Sequence, residues 1–117
     1  MSAGGLAGAL DLVTRVRGVR GAMLVSAADG IVVADQLMEG IKGTAVAALA
    51  GSLAGRLGRA MSAAGVGDTL FWHLQCSGGA LIVVPAASGI LVVAVAEPEV
   101  NVGLARLELM RAAQAVG

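Results

Sequence analysis

The sequence predicts an α/β (α+β) sandwich: a five-stranded, mainly antiparallel sheet covered by helices, in the order α-β-β-α-β-β-β-α. Three observations carry this. Asp29-Gly30 stands between two apolar runs, a strong hairpin signal. Residues 68–96 hold three further apolar runs, separated by Ser77-Gly78-Gly79 and by the PAASG stretch from Pro85 to Gly89. Between these blocks, residues 40–64 contain no proline and no β-branched run, and their apolar side chains recur with a helical period. Local hairpins make neighbouring strands antiparallel. Helices before, between and after the strands can cover both faces.

The elements follow in order. Residues 5–16 read as a short helix in which Leu6, Leu10 and Val13 share a face, Asp11 and Arg15 can pair, and Gly18 is the stop. Residues 21–26 and 31–36 are the first two strands, and 37–40 is a loop. In the long helix, Val46, Leu49, Leu53, Leu57 and Met61 form an apolar stripe expected to rest on the sheet. Ser52, Arg56 and Arg59 form a flank, and Ala47, Gly51, Ala54, Gly55, Gly58 and Ser62 form an arc of small residues. Each interior glycine costs a helix about 1 kcal/mol relative to alanine. Close approach of another backbone is the readiest physical reason to carry three, so the small arc is expected to meet the same helix of a second copy.

Gly65 and Gly67 end that helix, and residues 68–77 are the third strand. There Leu70, Trp72, Leu74 and Cys76 alternate with Phe71, His73 and Gln75. Residues 80–84 and 90–96 are near-continuously apolar, which suits strands covered on both faces. Glu97-Pro98 closes the sheet, and a last helix begins at Glu99 or Asn101 and runs to about Ala115. Val102, Leu104, Leu107, Met110 and Ala113 are expected on its buried side, with Arg106, Glu108 and Arg111 facing water.

Composition bounds what the chain can do. At 117 residues it reads as one domain, 1–117. It is 57% hydrophobic and only 14% charged, so apolar surface is left over and a partner subunit is favoured. Formal net charge is zero, which disfavours nucleic-acid binding. Cys76 is the single cysteine, so no intrachain disulfide forms and a cytoplasmic setting is expected. The N-terminal residues lack a basic start and a long apolar region, and so make a poor signal peptide. Residues 69–96 contain no Asp, Glu, Lys or Arg, yet Pro85, Ser88 and Gly89 interrupt them, which indicates a buried hairpin rather than a membrane span.

Groups able to do chemistry are scarce. His73 and Cys76 are the only histidine and cysteine, and on a strand they point to opposite faces, so nucleophilic catalysis between them is disfavoured. No zinc spacing and no phosphate-cradling glycine loop occurs. Asp29 is accounted for by turn chemistry. No catalytic residue, cofactor or metal is therefore expected. Phe71 and Trp72, the only Phe and Trp, sit side by side on the third strand and cannot both enter one core. An edge strand continued by its symmetry mate in a second copy resolves this.

With GAMLVSAADGIVVADQ, then a long helix, then DTLFWHLQCSGGALIVVPAASGILVVAVA, the chain resembles the roadblock/dynein light chain family over practically its whole length. Among members, it resembles the compact prokaryotic ones, gliding-motility regulators among them. The resemblance implies a roadblock/profilin-like sheet with the long helix on one face and the terminal helices on the other. It also implies a homodimer in which residues 40–64 of two copies pack together and residues 68–77 pair into one sheet. Ala47, Gly51, Ala54, Gly55, Gly58, Phe71, Trp72 and His73 are then expected at the dimer interface, with Lys42, Ser52, Arg56 and Arg59 available to a third party. Family members regulate or scaffold Ras-like small GTPases, so that partner is expected. Since activation in the gliding-motility type needs no donated arginine, Arg56 and Arg59 are not cast as an arginine finger. Neither a membrane span nor a small-molecule substrate is expected. The rival readings are a pure dimerisation scaffold and, less favoured, a small-molecule sensor or hydrolase on a profilin- or PAS-like sheet around His73.

Overall fold

Glycine-bearing turns set the strand registers. The computed structural model describes residue 6 and residues 8–117. Strand β1 (Val19–Ser26) reverses into β2 (Val32–Leu37) through Asp29-Gly30. There Gly30 takes a φ of +69°, and Asp29 Oδ1 accepts a hydrogen bond from the Ile31 amide at 3.2 Å. Strand β3 (Trp72–Cys76) reverses into β4 (Gly79–Pro85) with Cys76 opposite Gly79. β4 then pairs with β5 (Ile90–Ala96), and the positive φ of Gly89 lies in the turn between them. The sheet order is β2-β1-β5-β4-β3, and every pairing is antiparallel.

This order puts β5 in the middle, where its apolar run is used on both sides. Val92, Ala94 and Ala96 face one core, and Leu91 and Val93 face the other. Helix α1 (Asp11–Thr14) and the C-terminal helix α3 (Val102–Val116) cover the first face. Helix α2 (Gly43–Ala63) lies on the second, over β1, β2 and β5. The expected sandwich and its placement of long and terminal helices are thus realised.

Several local expectations change. The first helix was expected over 5–16; residues 1–5 and 7 lie outside the described residues, and α1 occupies Asp11–Thr14. Asp11 does not pair with Arg15: its Oδ1 accepts from Gln36 Nε2 at 2.7 Å, and Thr14 Oγ1 donates to Gln36 Oε1, tying α1 to β2. The third strand is shorter than 68–77, because β3 has only β4 to pair with and that ladder stops at Trp72 opposite Val83. In α3 the buried side is Ala105, Glu108, Leu109, Ala112 and Ala113, while Leu104 and Leu107 are exposed. Residues 105, 109 and 112 follow the i, i+4, i+7 spacing of one helical face. Small alanines on that face let α3 lie close to β4 and β5. Glu108 tolerates the position because Oε1 accepts from Arg111 Nη1 at 2.9 Å, although its Oε2 is buried without a partner. Asn101 caps α3 by accepting from the Leu104 amide at 3.0 Å.

Candidate functional site

Helix α2 is rotated from the orientation its apolar stripe predicts. Its fully buried residues are Ala47, Ala50 and Gly51, all in its first half. Beneath them the sheet supplies the bulk, through Met23, Val25, Leu91 and Val93. Small helix residues over large sheet residues bring the backbones together, and Val46, Leu53 and Leu57 wedge along the side, half-buried. Leu49, expected in the stripe, is 49% exposed.

Gly51 is explained within this one chain. A Cβ there would stand 2.9 Å from the Gly30 Cα and 3.5 Å from the Ala27 carbonyl oxygen. The close approach that the glycine permits is therefore to the β1–β2 turn. Ala47 and Gly51, expected at a dimer interface, are buried in their own subunit and have no surface to offer. The same correction applies to Trp72. It is 8% exposed and joins the core under α2, and its indole Nε1 is buried without a hydrogen-bond partner.

Beyond Gly51 the helix is open. No residue of 52–63 is fully buried: Ala54, Gly55, Leu57, Gly58 and Met61 are half-buried, and Ser52, Arg56, Arg59 and Ala60 are exposed. A Cβ on Gly58 would meet nothing within 4 Å, and one on Gly55 only the Arg59 Nη1 at 3.4 Å. The guanidinium of Arg59 thus lies back over Gly55. The chain then returns through Val66 and Leu70, 68% and 75% exposed, to the free edge of β3.

On β3, Leu74 is 39% exposed on the α2 side, next to an apolar groove of about 220 Å³ lined by Val46, Leu49, Cys76, Leu81 and Val95. Phe71 projects to the other side, where Arg106 sits 4.9 Å from its ring centroid. His73 is half-buried, with Nε2 3.1 Å from Gln75 Oε1, and Gln75 Nε2 donates to the Pro98 carbonyl.

The predicted residues therefore fall into two groups. The flank of α2 that carries Val46 and Leu49 faces the β3–β4 side. The arc that carries Ala48 and Gly51 faces the β1–β2 turn, with a notch of about 260 Å³ between helix and turn that Asp29 and Ser52 also line. Gly55 and Gly58 continue that second arc, so the small arc and the third strand lie on different sides of the helix. Lys42, at the N-cap of α2, is fourteen positions before Arg56, roughly 21 Å along the axis, and does not share a site with it. Sequence reasoning missed Leu49, Leu70 and Val66 as exposed groups. The only available signal was the absence of any neighbour strand able to cover them. Among the described residues, no group of three or more His, Cys, Asp or Glu could hold a metal ion, and no helix is long and apolar enough to cross a membrane.

Comparison with known proteins fits this geometry. The Roadblock/LC7 domain model matches residues 7–96. Uncharacterized protein MJ1340 of Methanocaldococcus jannaschii is 32% identical over 102 residues, spanning 87% of this chain and 88% of its own. Among solved structures, MglB of Myxococcus xanthus superposes with a TM-score of 0.87 at 16% identity, over 98% of this chain and 86% of that one. A Roadblock/LC7 domain from Streptomyces avermitilis gives 0.82 at 25% identity, over 95% of this chain and 91% of that one. The MglB likeness, at its low identity, is a likeness of fold.

Proposed function

This chain belongs to the Roadblock/LC7 domain family, and on that premise we propose that it is a non-catalytic homodimeric regulator that binds a Ras-like small GTPase and modulates its GTP hydrolysis. The observation that carries the dimer is the unfinished side of the sheet. The free edge of β3, Leu74 and the exposed Leu70 lie beside a helix flank whose Leu49 has no cover. A second copy related by a two-fold axis covers all of them at once and closes the edge. Leu49, Leu70 and Leu74 are 49%, 75% and 39% exposed, and removing that apolar area from water on both copies favours association. Phe71, just before β3, and His73, on it, lie along the same free edge and are kept in the proposed interface.

The outward arc of α2, with Ser52, Arg56 and Arg59, remains free in such a dimer for the GTPase. Binding there acts by selecting a hydrolysis-competent arrangement of the GTPase's own switch segments. Gly55 and Gly58 keep that arc low, and Ala54 lies beneath it. The test is to mix the purified protein with each Ras-like GTPase encoded in the same genome and follow complex formation and phosphate release. A complex with altered release is expected, and no complex with any of them overturns the proposal. Binding with unchanged hydrolysis selects the scaffold reading instead.

A further inference from the structure

The sheet has two free edges, and the dimer proposed above uses only one of them. The other is β2, which has β1 on one side and no strand on the other. Its hydrogen-bonding phase follows from its two ends. The Met38 amide donates to the Arg20 carbonyl, and the Ser26 amide to the Ile31 carbonyl, each at 2.9 Å. Successive residues of a strand turn their N–H and C=O groups to alternate sides. Val32 at one end, and Asp35 and Leu37 toward the other, therefore point theirs away from β1. Val33 absorbs the change of phase as a bulge, since Leu24 opposes Ala34 while Val25 opposes Val32.

The two edges are guarded differently. Strand β3 carries no Asp, Glu, Lys or Arg. Strand β2 carries Asp35 and the bulge, and both features blunt an edge against pairing with its own kind. Asp35 lies directly across from Met23, which belongs to the core under α2, so its carboxylate stands on the α2 side of the edge. It is exposed and has no ion pair among the described residues. A second copy laid antiparallel on this edge would bring two such carboxylates into one short ladder, where like charges repel. Yet Ile31, Val33 and Met38 are exposed along the same edge. Beside its Met38 end lies a cavity of about 250 Å³, lined by Val19 and Leu37 and by the polar Thr14 and Gln36.

We infer that the β2 edge is a strand-addition site for an extended segment of a partner protein, with a Lys or Arg across from Asp35 and an apolar side chain just before it. Main-chain bonds to the outward groups of Val32, Asp35 and Leu37 supply the grip, and the two side chains supply the selectivity. In an antiparallel added strand, the residue across from Asp35 shares its side of the sheet, which sets a cation beside the carboxylate. The residue before it lies across from Gln36, on the α1 side, next to the cavity. This goes beyond the proposed function: it needs neither a second copy nor a GTPase, and it leaves the β3 edge free.

The probe is the acetylated and amidated peptide VTVKVT, titrated into the isotope-labelled full chain, with VTVEVT as its charge-reversed control. Backbone amide hydrogen exchange is read by NMR. At saturation the Asp35 and Leu37 amides are expected to slow at least about tenfold, because an added strand bonds them. The Met38 amide, already bonded to Arg20, is expected to change little. VTVEVT is expected to bind at least about fivefold more weakly, D35N to erase that preference and D35K to reverse it. No slowing with VTVKVT, slowing confined to β3, equal binding of the two peptides by the wild type, or a preference unchanged in D35N overturns the inference. So does a peptide-free chain in which those amides are already protected and whose light-scattering mass exceeds that of a dimer, since a second copy then holds the edge.

Discussion

The two faces of the sheet are built from similar strands but finished differently. On one face α1 and α3 close over Leu24, Ile82, Val92 and Ala94, and Leu109 is buried among them. On the other, the first half of α2 closes over Met23 and Val93 with three buried residues; its second half packs Leu53, Ala54 and Leu57 half-buried against the same core and has no fully buried residue. The difference teaches that one face is a closed core, while the other is closed up to Gly51 and open afterwards. Gly51 and Gly58 mark the contrast on a single helix. The first glycine is fixed by the Gly30 backbone, and the second has open space where its side chain would be.

Substitutions can break or sharpen that contrast. The largest effect is expected on the closed face, where Leu109→Ala should cost about 2–5 kcal/mol in denaturant unfolding. The neighbouring Leu107→Ala, 44% exposed, should stay within about 0.5 kcal/mol. Equal losses at both would mean that the buried side of α3 is misassigned. Next comes Gly51→Ala. Its added Cβ meets backbone at 2.9 Å, and overpacking of this kind costs about 1–3 kcal/mol. Removing the α3 cap with Asn101→Ala should cost about 1 kcal/mol, read from the thermal midpoint. The smallest effect carries the opposite sign. Gly58→Ala should raise the subunit's stability by about 0.4–1 kcal/mol, because helix propensity improves and nothing is displaced. A loss there would place Gly58 in a packed contact and erase the difference between the two halves.

Much of this fold is legible in the sequence because its turns are chemically explicit. Asp29-Gly30, Gly78-Gly79 and Gly89 divide strand-forming runs, and each acts locally. The resemblance to the roadblock family was legible for the same reason. Facing was not legible. Which side of α2 turns inward depends on the sheet beneath it, where Met23 and Leu91 already supply the volume and alanine fits better than leucine. In α3, Ala105 and Ala112, which the apolar spacing of the larger residues does not single out, define the buried side that brings Glu108 in with them. Alternation correctly separates Phe71 from Trp72, but cannot say which of them enters the subunit's own core. The candidate interface was therefore readable as elements, the long helix and the third strand. Of the residues expected there, Ala47, Gly51 and Trp72 are buried in their own subunit, so the dimer proposed above uses the exposed Leu49, Leu70 and Leu74 instead.

The central claim is that the open side is completed by a second copy. Light scattering at micromolar concentration, on the wild type and on the L70D/L74D variant, tests it most directly. The wild type should show twice the chain mass, and the variant the single-chain mass with an unchanged circular dichroism spectrum. A wild type that stays monomeric, or a variant that still dimerises, would contradict the account.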